Sequence, residues 1–325
     1  MKKETYIASA IRHIAPSYNG EIIAAALFEQ TVSLWNISNG LQVSEFETIL
    51  DFGGSRLALS HVECACLTAA YHVHGLACYG TPTGELRWQR KELKKIQQIV
   101  ITPNGRDAYC CFEEGPCQIL DVSTGETTER IRGLRYVWLD PQSAFQLRKS
   151  NKLAVVDWNG KQAFQIKPDS FAVLDAVFSK KQLALSESGA NVRIFDLASG
   201  REVVRHVQPK NHHVLELSFS EYDSMFYGVQ WNYHNGGPKL LLRFNPESTE
   251  TEVVRDLGRP AVVAFCQGGT HLLTSEGDVI NCQTGEMVIR LTFPQKEYPK
   301  DYCSHAVPPS SATAGLQTES PCGTV

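Results

Sequence analysis

Few stretches of this chain combine residue types at spacings that could do chemistry. Cys64-Ala65-Cys66 and His72-Val73-His74 are one such group. Residues two apart on a strand share a face, so two such pairs in neighbouring strands could converge on one metal ion. Both pairs also lie where strands are needed, and a strand cysteine ordinarily packs as a small hydrophobe, so no metal or other cofactor is expected. Cys110 and Cys111 are adjacent and point to opposite faces, and no cysteines show zinc-ribbon spacing. No Gly-x-Ser-x-Gly elbow is present, and Gly236-Gly237-Pro238 lacks the Lys-Ser/Thr of a phosphate loop. The carboxylates Glu113, Glu114, Glu187, Glu276 and Asp278 fall at hairpin ends and read as solvated turn acids. Cys322-Gly323-Thr324-Val325 puts a cysteine fourth from the end, but the next two residues are not the aliphatic pair of a prenylation signal.

A different kind of chemistry is offered by Asn211-His212-His213 and Trp231-Asn232-Tyr233-His234. Large rings that bury much area at little conformational cost are what a binding hot spot uses. His212, His213, Trp231, Tyr233 and His234 are therefore the candidate partner-binding residues. The competing reading is that Trp231 folds back over its own hairpin.

These stretches are positioned by a repeat. Val192 to Gly200 reads as an apolar strand ending in Phe195-Asp196 and a turn closed by Ser199-Gly200. The same plan recurs around Asn36, Gly80, Asp121, Asp157, Asn245 and Asn281, at intervals of about 36 to 49 residues. Six of the seven copies carry glycine at the turn, where a positive φ costs other residues most. Second and third strands such as Glu21–Phe28 and Thr31–Ile37 are almost continuously apolar, as sheets covered on both faces are. Fourth strands such as Leu41–Glu47 and Glu202–His206 mix charge with apolar residues, as a free edge requires.

The expectation is an all-β, seven-bladed β-propeller of four-stranded antiparallel blades. The blades fall at about 6–50, 51–92, 93–133, 134–169, 170–208, 209–257 and 258–293. Blade seven supplies its own outer strand at Met287–Phe293, with pairing of Glu4–Ala8 onto that blade as the alternative. Residues 294–325 turn rich in Pro, Ser and Thr and read as a tail that cannot offset its ordering entropy.

The order in Ile99 to Gly125 (apolar strand, Pro103-Asn104-Gly105 turn, strand, acidic turn, strand ending in Leu120-Asp121, Ser123-Thr124-Gly125) resembles the WD-repeat β-propeller family. Blade five repeats it in Ala176–Ser179 and Val192–Gly200, and the resemblance spans about residues 6 to 293. The family's Gly-His dipeptide is missing. Its Trp-Asp pair survives only as Trp35-Asn36, Leu120-Asp121 and Phe195-Asp196, so the buried hydrogen-bond network of that family does not transfer. What the resemblance implies is a non-catalytic scaffold that holds a protein or peptide through its rim loops. The alternative is a propeller hydrolase or lactonase with a small ligand or metal in the central channel.

Composition fits either. The 325 residues are 42% hydrophobic and 20% charged, with net charge −4 and a sequence pI of about 6.2, which argues against a nucleic-acid surface. Arg90-Lys91-Glu92-Leu93-Lys94-Lys95 is the densest basic run and reads as a loop. No stretch has the length of a membrane span, Met1–Thr5 lacks a signal core, and ten cysteines suit a reducing compartment, so a cytoplasmic location is expected.

Overall fold

In the computed structural model, residues 5–9, 11–17, 20–27, 30–50, 56–70, 75–139, 143–148, 153–157, 161–170, 173–188, 191–293 and 295–299 are described. They contain strands and no helix. After a leading strand β1 (Thr5–Ser9), blade one comprises β2 (Ile11–Pro16), β3 (Ile22–Leu27), β4 (Thr31–Asn36) and β5 (Gln42–Glu47). Blade two comprises β6 (Arg56–Ser60), β7 (Ala65–Ala70), β8 (Gly75–Gly80) and β9 (Leu86–Arg90). Blade three is β10 (Ile96–Ile101), β11 (Asp107–Phe112), β12 (Cys117–Asp121) and β13 (Thr127–Ile131). Blade four is β14 (Leu134–Leu139), β15 (Ser143–Arg148), β16 (Leu153–Asp157) and β17 (Gln162–Ile166). Blade five follows with β18 (Val173–Phe178), β19 (Gln182–Glu187), β20 (Asn191–Asp196) and β21 (Glu202–Val207). Blade six has β22 (His212–Ser220), β23 (Met225–Asn232), β24 (Leu240–Phe244) and β25 (Thr251–Asp256). Blade seven has β26 (Val263–Cys266), β27 (His271–Thr274), β28 (Asp278–Asn281) and β29 (Met287–Arg290).

Each blade is an antiparallel meander paired in chain order. The seven first strands touch one another in the cycle β2, β6, β10, β14, β18, β22, β26 and back to β2. The molecule is a seven-bladed β-propeller. Blade seven builds all four strands from its own residues, so the ring closes without a borrowed strand. β1 pairs instead with β30 (Gln295–Pro299), Thr5 opposite Pro299 and Ser9 opposite Gln295, in a separate two-stranded ribbon. The alternative placement of the N-terminal strand on blade seven is thus corrected, and strand structure runs past Pro294. Residues 300–325, including Cys322, lie outside the described residues.

The apolar runs of the middle strands have a geometric cause. Successive strand residues face opposite sides of the sheet, and in a propeller each side meets a neighbouring blade. In β3, Ile23, Ala25 and Leu27 enter the core shared with blade seven, while Ala24 and Ala26 enter the core shared with blade two. In β11, Ala108, Cys110 and Phe112 face blade two, and Tyr109 and Cys111 face blade four. Seven such cores lie at the seven blade boundaries. A fully buried Leu, Ile or Phe contributes roughly 1.5–3 kcal/mol, so these cores are the main stabilising term.

The recurring turn has two jobs. Asp196 ends β20, and its Oδ1 accepts from Ser199 N at 2.7 Å and Ser199 Oγ at 2.6 Å, while Gly200 N donates to Asp196 O at 2.8 Å. Asp121 does the same for Thr124 N at 2.8 Å and Ser123 Oγ at 2.6 Å, which holds its carboxyl below the usual range. Gly200 has φ +69°, and a Cβ built there would lie 2.7 Å from Phe164 Cγ, on the fourth strand of blade four. Gly40, Gly84, Gly125 and Gly285 likewise press on Ile289, Phe46, Trp88 and Val254, each on the preceding blade's fourth strand. The glycine of the repeat is therefore both a turn residue and a packing contact.

The same junctions carry hydrogen bonds. Ser44 Oγ donates to Thr81 O at 2.7 Å, Trp88 Nε1 to Val122 O at 2.9 Å, Arg90 to Gly125 O and Arg255 to Gly285 O. His206, fully buried on β21, lies 3.0 Å from Asn245 O and 3.0 Å from Thr251 Oγ1. Side chains of outer strands thus latch onto the next blade's turn, at about 1 kcal/mol net per bond. The acid Glu187 is also drawn inward. It was expected to be a solvated turn acid, but it is 3% exposed and accepts from Arg193 Nη1 at 3.0 Å and Asp169 N at 2.8 Å. Arg193 also donates to Glu202 and to Lys167 O, fastening blade five to the connector from blade four. A carboxylate at the end of a strand can be solvated or buried, and its partners decide: for Glu187 they are Arg193 on the neighbouring strand and the connector at Asp169.

Gly200→Ala is expected to cost roughly 2–4 kcal/mol, from the positive φ and from overpacking against Phe164. Gly237→Ala has an ordinary φ and no neighbour closer than 3.9 Å, so it should stay within about 0.5 kcal/mol of wild type. Urea unfolding of the two variants separates these outcomes.

Candidate functional site

Two places on the disc gather polar and aromatic side chains. The first is the rim of blade six. β22 and β23 are the longest strands, pairing His212 with Asn232 and His213 with Trp231. The connector from blade five turns at Asn211, which takes φ +66°, a conformation asparagine tolerates better than most residues. Tyr233 N donates to Asn211 O at 3.2 Å and Tyr233 Oη to Asn211 Oδ1 at 3.3 Å. The two stretches picked out in the sequence are therefore in contact.

Their five residues are not equivalent. Tyr233, 43% exposed, lies over the imidazole of His213 with ring centroids 4.1 Å apart and planes at 27°. His213 is buried beneath it, and burial, aided by the charge of His212, holds its pKa below the ordinary value. Trp231 and His212 are half-buried, and His212 Nδ1 lies 3.0 Å from Lys210 O. His234 is exposed, with its amide donating to Asn232 Oδ1 at 3.0 Å. The far end of this long hairpin is anchored by Lys239, whose Nζ donates to Pro260 O at 2.7 Å and Ala261 O at 3.1 Å at the start of blade seven. The surface is an aromatic platform tied down at both ends.

The second place is the central channel, where the first strands converge. A cavity of about 200 Å³ is lined by His13, Arg56, Gln97, Gln98, Tyr136, Trp138 and Asp175, contributed by blades one to five. Asp175 is buried and accepts three hydrogen bonds: Trp138 Nε1 at 2.8 Å, Ala176 N at 2.8 Å and Leu217 N at 2.6 Å. These donors favour the carboxylate, but burial outweighs them and pushes its pKa up to about 7. His13 is driven the other way, to about 3, by burial and by the nearby Arg56, so it is neutral. Arg56 Nε donates to Gln97 O at 2.7 Å, and Gln98 Oε1 accepts from Val137 N at 2.9 Å. A neutral imidazole, a guanidinium and a carboxylate engaged on both oxygens suit holding a small polar group. No nucleophile with an adjacent base stands among them.

Sequence reasoning missed this channel set. Asp175 sits in Val173-Leu174-Asp175-Ala176-Val177-Phe178, and an acid inside an apolar strand was the available signal. The cysteine–histidine group does not assemble as drawn. Cys66 is buried in the core between blades one and two, whereas Cys64 is an exposed turn residue with φ +46°. His72 and His74 lie outside the described residues, and no three His, Cys, Asp or Glu converge among the described residues. Cys110 and Cys111 face different cores, as their adjacency requires.

No family model matches the chain, and no curated protein matches it in sequence. Solved structures do. The C-terminal WD40 domain of Sif2 superposes with a TM-score of 0.61 at 10% identity, over 84% of this chain and 95% of that one. The fold is a WD-repeat-like propeller. The computationally designed Ika8 protein matches with a TM-score of 0.60 at 13% identity, over 90% of this chain and 88% of that one. Such identities speak for the WD-repeat-like architecture alone. No helix among the described residues is long and apolar enough to cross a membrane.

Removing the ring that covers His213 should raise its pKa. In Tyr233→Ala, NMR titration is expected to show the His213 value moving up toward 6.5, and an unchanged value would contradict the stacked geometry. Asp175 gives a pH signature. An acid whose folded pKa lies above its unfolded value of 3.8 contributes stability at acidic pH that is lost as pH rises through about 7. Asp175→Asn has no such proton to lose, so its stability relative to wild type should improve as pH is raised from about 4 to about 7. A difference independent of pH would contradict the assignment.

Proposed function

We propose that the protein is a non-catalytic, cytoplasmic binding platform whose rim on blade six captures a protein or peptide. The observation that carries this reading is Tyr233, exposed and stacked on His213 at the tip of a hairpin that Lys239 ties to blade seven. An aromatic ring held in place before binding loses little conformational freedom when a partner covers it, which is how hot-spot tyrosines gain affinity. Trp231, His212 and His234 extend the surface around it. The resemblance to WD-repeat propellers supports the scaffold role by analogy of fold, since fold alone does not specify activity.

A second reading is favoured by one observation. Polar side chains from five blades line the channel cavity, as a site for a small polar ligand, with or without turnover, would require. The sequence-based alternative of a propeller hydrolase or lactonase belongs here. Asp175 has both oxygens engaged by donors from blades four, five and six, so it positions strands as much as it faces the cavity. The rim reading is preferred for that reason.

Affinity capture from native extract, read by mass spectrometry, tests the rim. Trp231→Ala/Tyr233→Ala is expected to lose the captured partner at least about tenfold while keeping wild-type thermal unfolding, because both side chains lie outside the seven cores. Undiminished capture by the double variant would remove blade six from the binding surface.

A further inference from the structure

The rim that carries Tyr233 also carries a concentration of arginines between blades three and four. Arg130, near the end of β13, and Arg132, just beyond it, flank the half-buried Ile131 and so share the face turned away from the core. Together with Gly115, Pro116 and Gly133 they line a cleft of about 590 Å³. Arg135 is exposed on β14, and Arg148 Nη1 donates to Arg132 O at 3.4 Å while its Nη2 donates to Gln146 Oε1 at 2.7 Å. Among the described residues no carboxylate pairs with any of these four guanidiniums. Of the acids in the same hairpins, Glu113 lies 3.9 Å from Lys95, Glu114 is exposed beside Gly115, and Glu129 lines a separate groove with Asn104 and Asp107.

We propose that this cleft binds an acidic segment of a partner protein, through bidentate pairing of its carboxylates with Arg130 and Arg132. The chain carries a net charge of −4, yet Arg130 and Arg132 line this cleft, and among the described residues neither is paired with a carboxylate. Their mutual repulsion is relieved by an anionic occupant, and the planar guanidinium fork matches a carboxylate. The floor admits a backbone. A Cβ built on Gly115 or Gly133 meets nothing within 4 Å, so both positions open onto free space where an extended chain can approach. A peptide fits better than a nucleic acid, because the patch is confined to one blade junction on an acidic molecule and cannot track a run of phosphates. The cleft is built from the same kinds of loop as the blade-six platform: the hairpin between second and third strands, and the connector between blades. Both sites therefore open on one side of the disc. The proposal rests on reading that side as a binding platform, but it is tested separately.

Fluorescence anisotropy of the full chain with a labelled decapeptide of alternating Glu and Gly supplies the test. A Gln-Gly decapeptide and a single-stranded deoxyoligonucleotide of equal charge are the comparisons. The Glu peptide is expected to bind more tightly than both, with affinity falling as salt is raised. Arg130→Ala/Arg132→Ala should weaken it at least about tenfold, with Arg130→Gln/Arg132→Gln as a check that lost bulk is not the cause. Arg106→Ala, an exposed arginine on the opposite rim, should change nothing. Tyr233→Ala should leave peptide affinity intact even where it abolishes partner capture, which separates this proposal from the blade-six reading. No binding, equal binding of the Gln peptide, full affinity in the double variants, or tighter binding of the oligonucleotide would each overturn it.

Discussion

Every middle strand of this molecule serves two hydrophobic cores at once, and the rest of the architecture depends on that. A lone four-stranded blade leaves both faces wet. In the ring, residues of one parity pack against the preceding blade and residues of the other parity against the following one, as Ile23 and Ala24 do in blade one or Leu272 and Leu273 in blade seven. No terminal blade is then left with an open face, provided the last blade meets the first. It does so through Ile11, Ile14, Trp35 and Ile37 on one side and Leu273, Val279, Leu291 and Phe293 on the other.

Burial alone would let blades slide, and the polar contacts at their outer edges fix the register between them. Trp88, His206 and Arg255 reach from the outer strands of blades two, five and six to carbonyls in the turn of the following blade. These latches, with the Arg193–Glu187 pair within blade five, accompany the apolar cores. A frame held this way can carry loops without being deformed by them. The aromatic hairpin of blade six and the arginine cleft between blades three and four are both additions at its edge. The channel differs, because Asp175 draws on Trp138 and Leu217 and couples three blades at the centre.

The repeat was legible in the sequence because one physical requirement recurs. Asn36, Gly80, Asp121, Asp157, Asp196 and Asn281 each end a third strand, and Asn245 directly follows one. The Asn and Asp side chains among them accept backbone hydrogen bonds in the turn, and Gly40, Gly84, Gly125, Gly200 and Gly285 combine a positive φ with close approach to the preceding blade. The rim cluster was legible too, since a long aromatic hairpin and a His-rich connector belong to the same edge of one blade. Glu187 and Asp175 were not. Asp175 is held by Trp138 and Leu217, 37 and 42 residues away in the chain, and Glu187 is enclosed by Arg193 on the neighbouring strand together with the connector at Asp169. Local pattern carries no record of such partners. The pairing of Thr5–Ser9 with Gln295–Pro299 was hidden for the same reason, because strand pairing across almost the whole chain leaves no local period.

If the apolar contact between blades seven and one closes the ring, the terminal ribbon is dispensable for closure. A chain trimmed to residues 10–293 should then unfold in urea as a single transition with a midpoint close to that of the full chain. A second transition at lower urea, or a midpoint reduced by a third or more, would show that strand pairing at the termini holds the disc shut and would contradict the account.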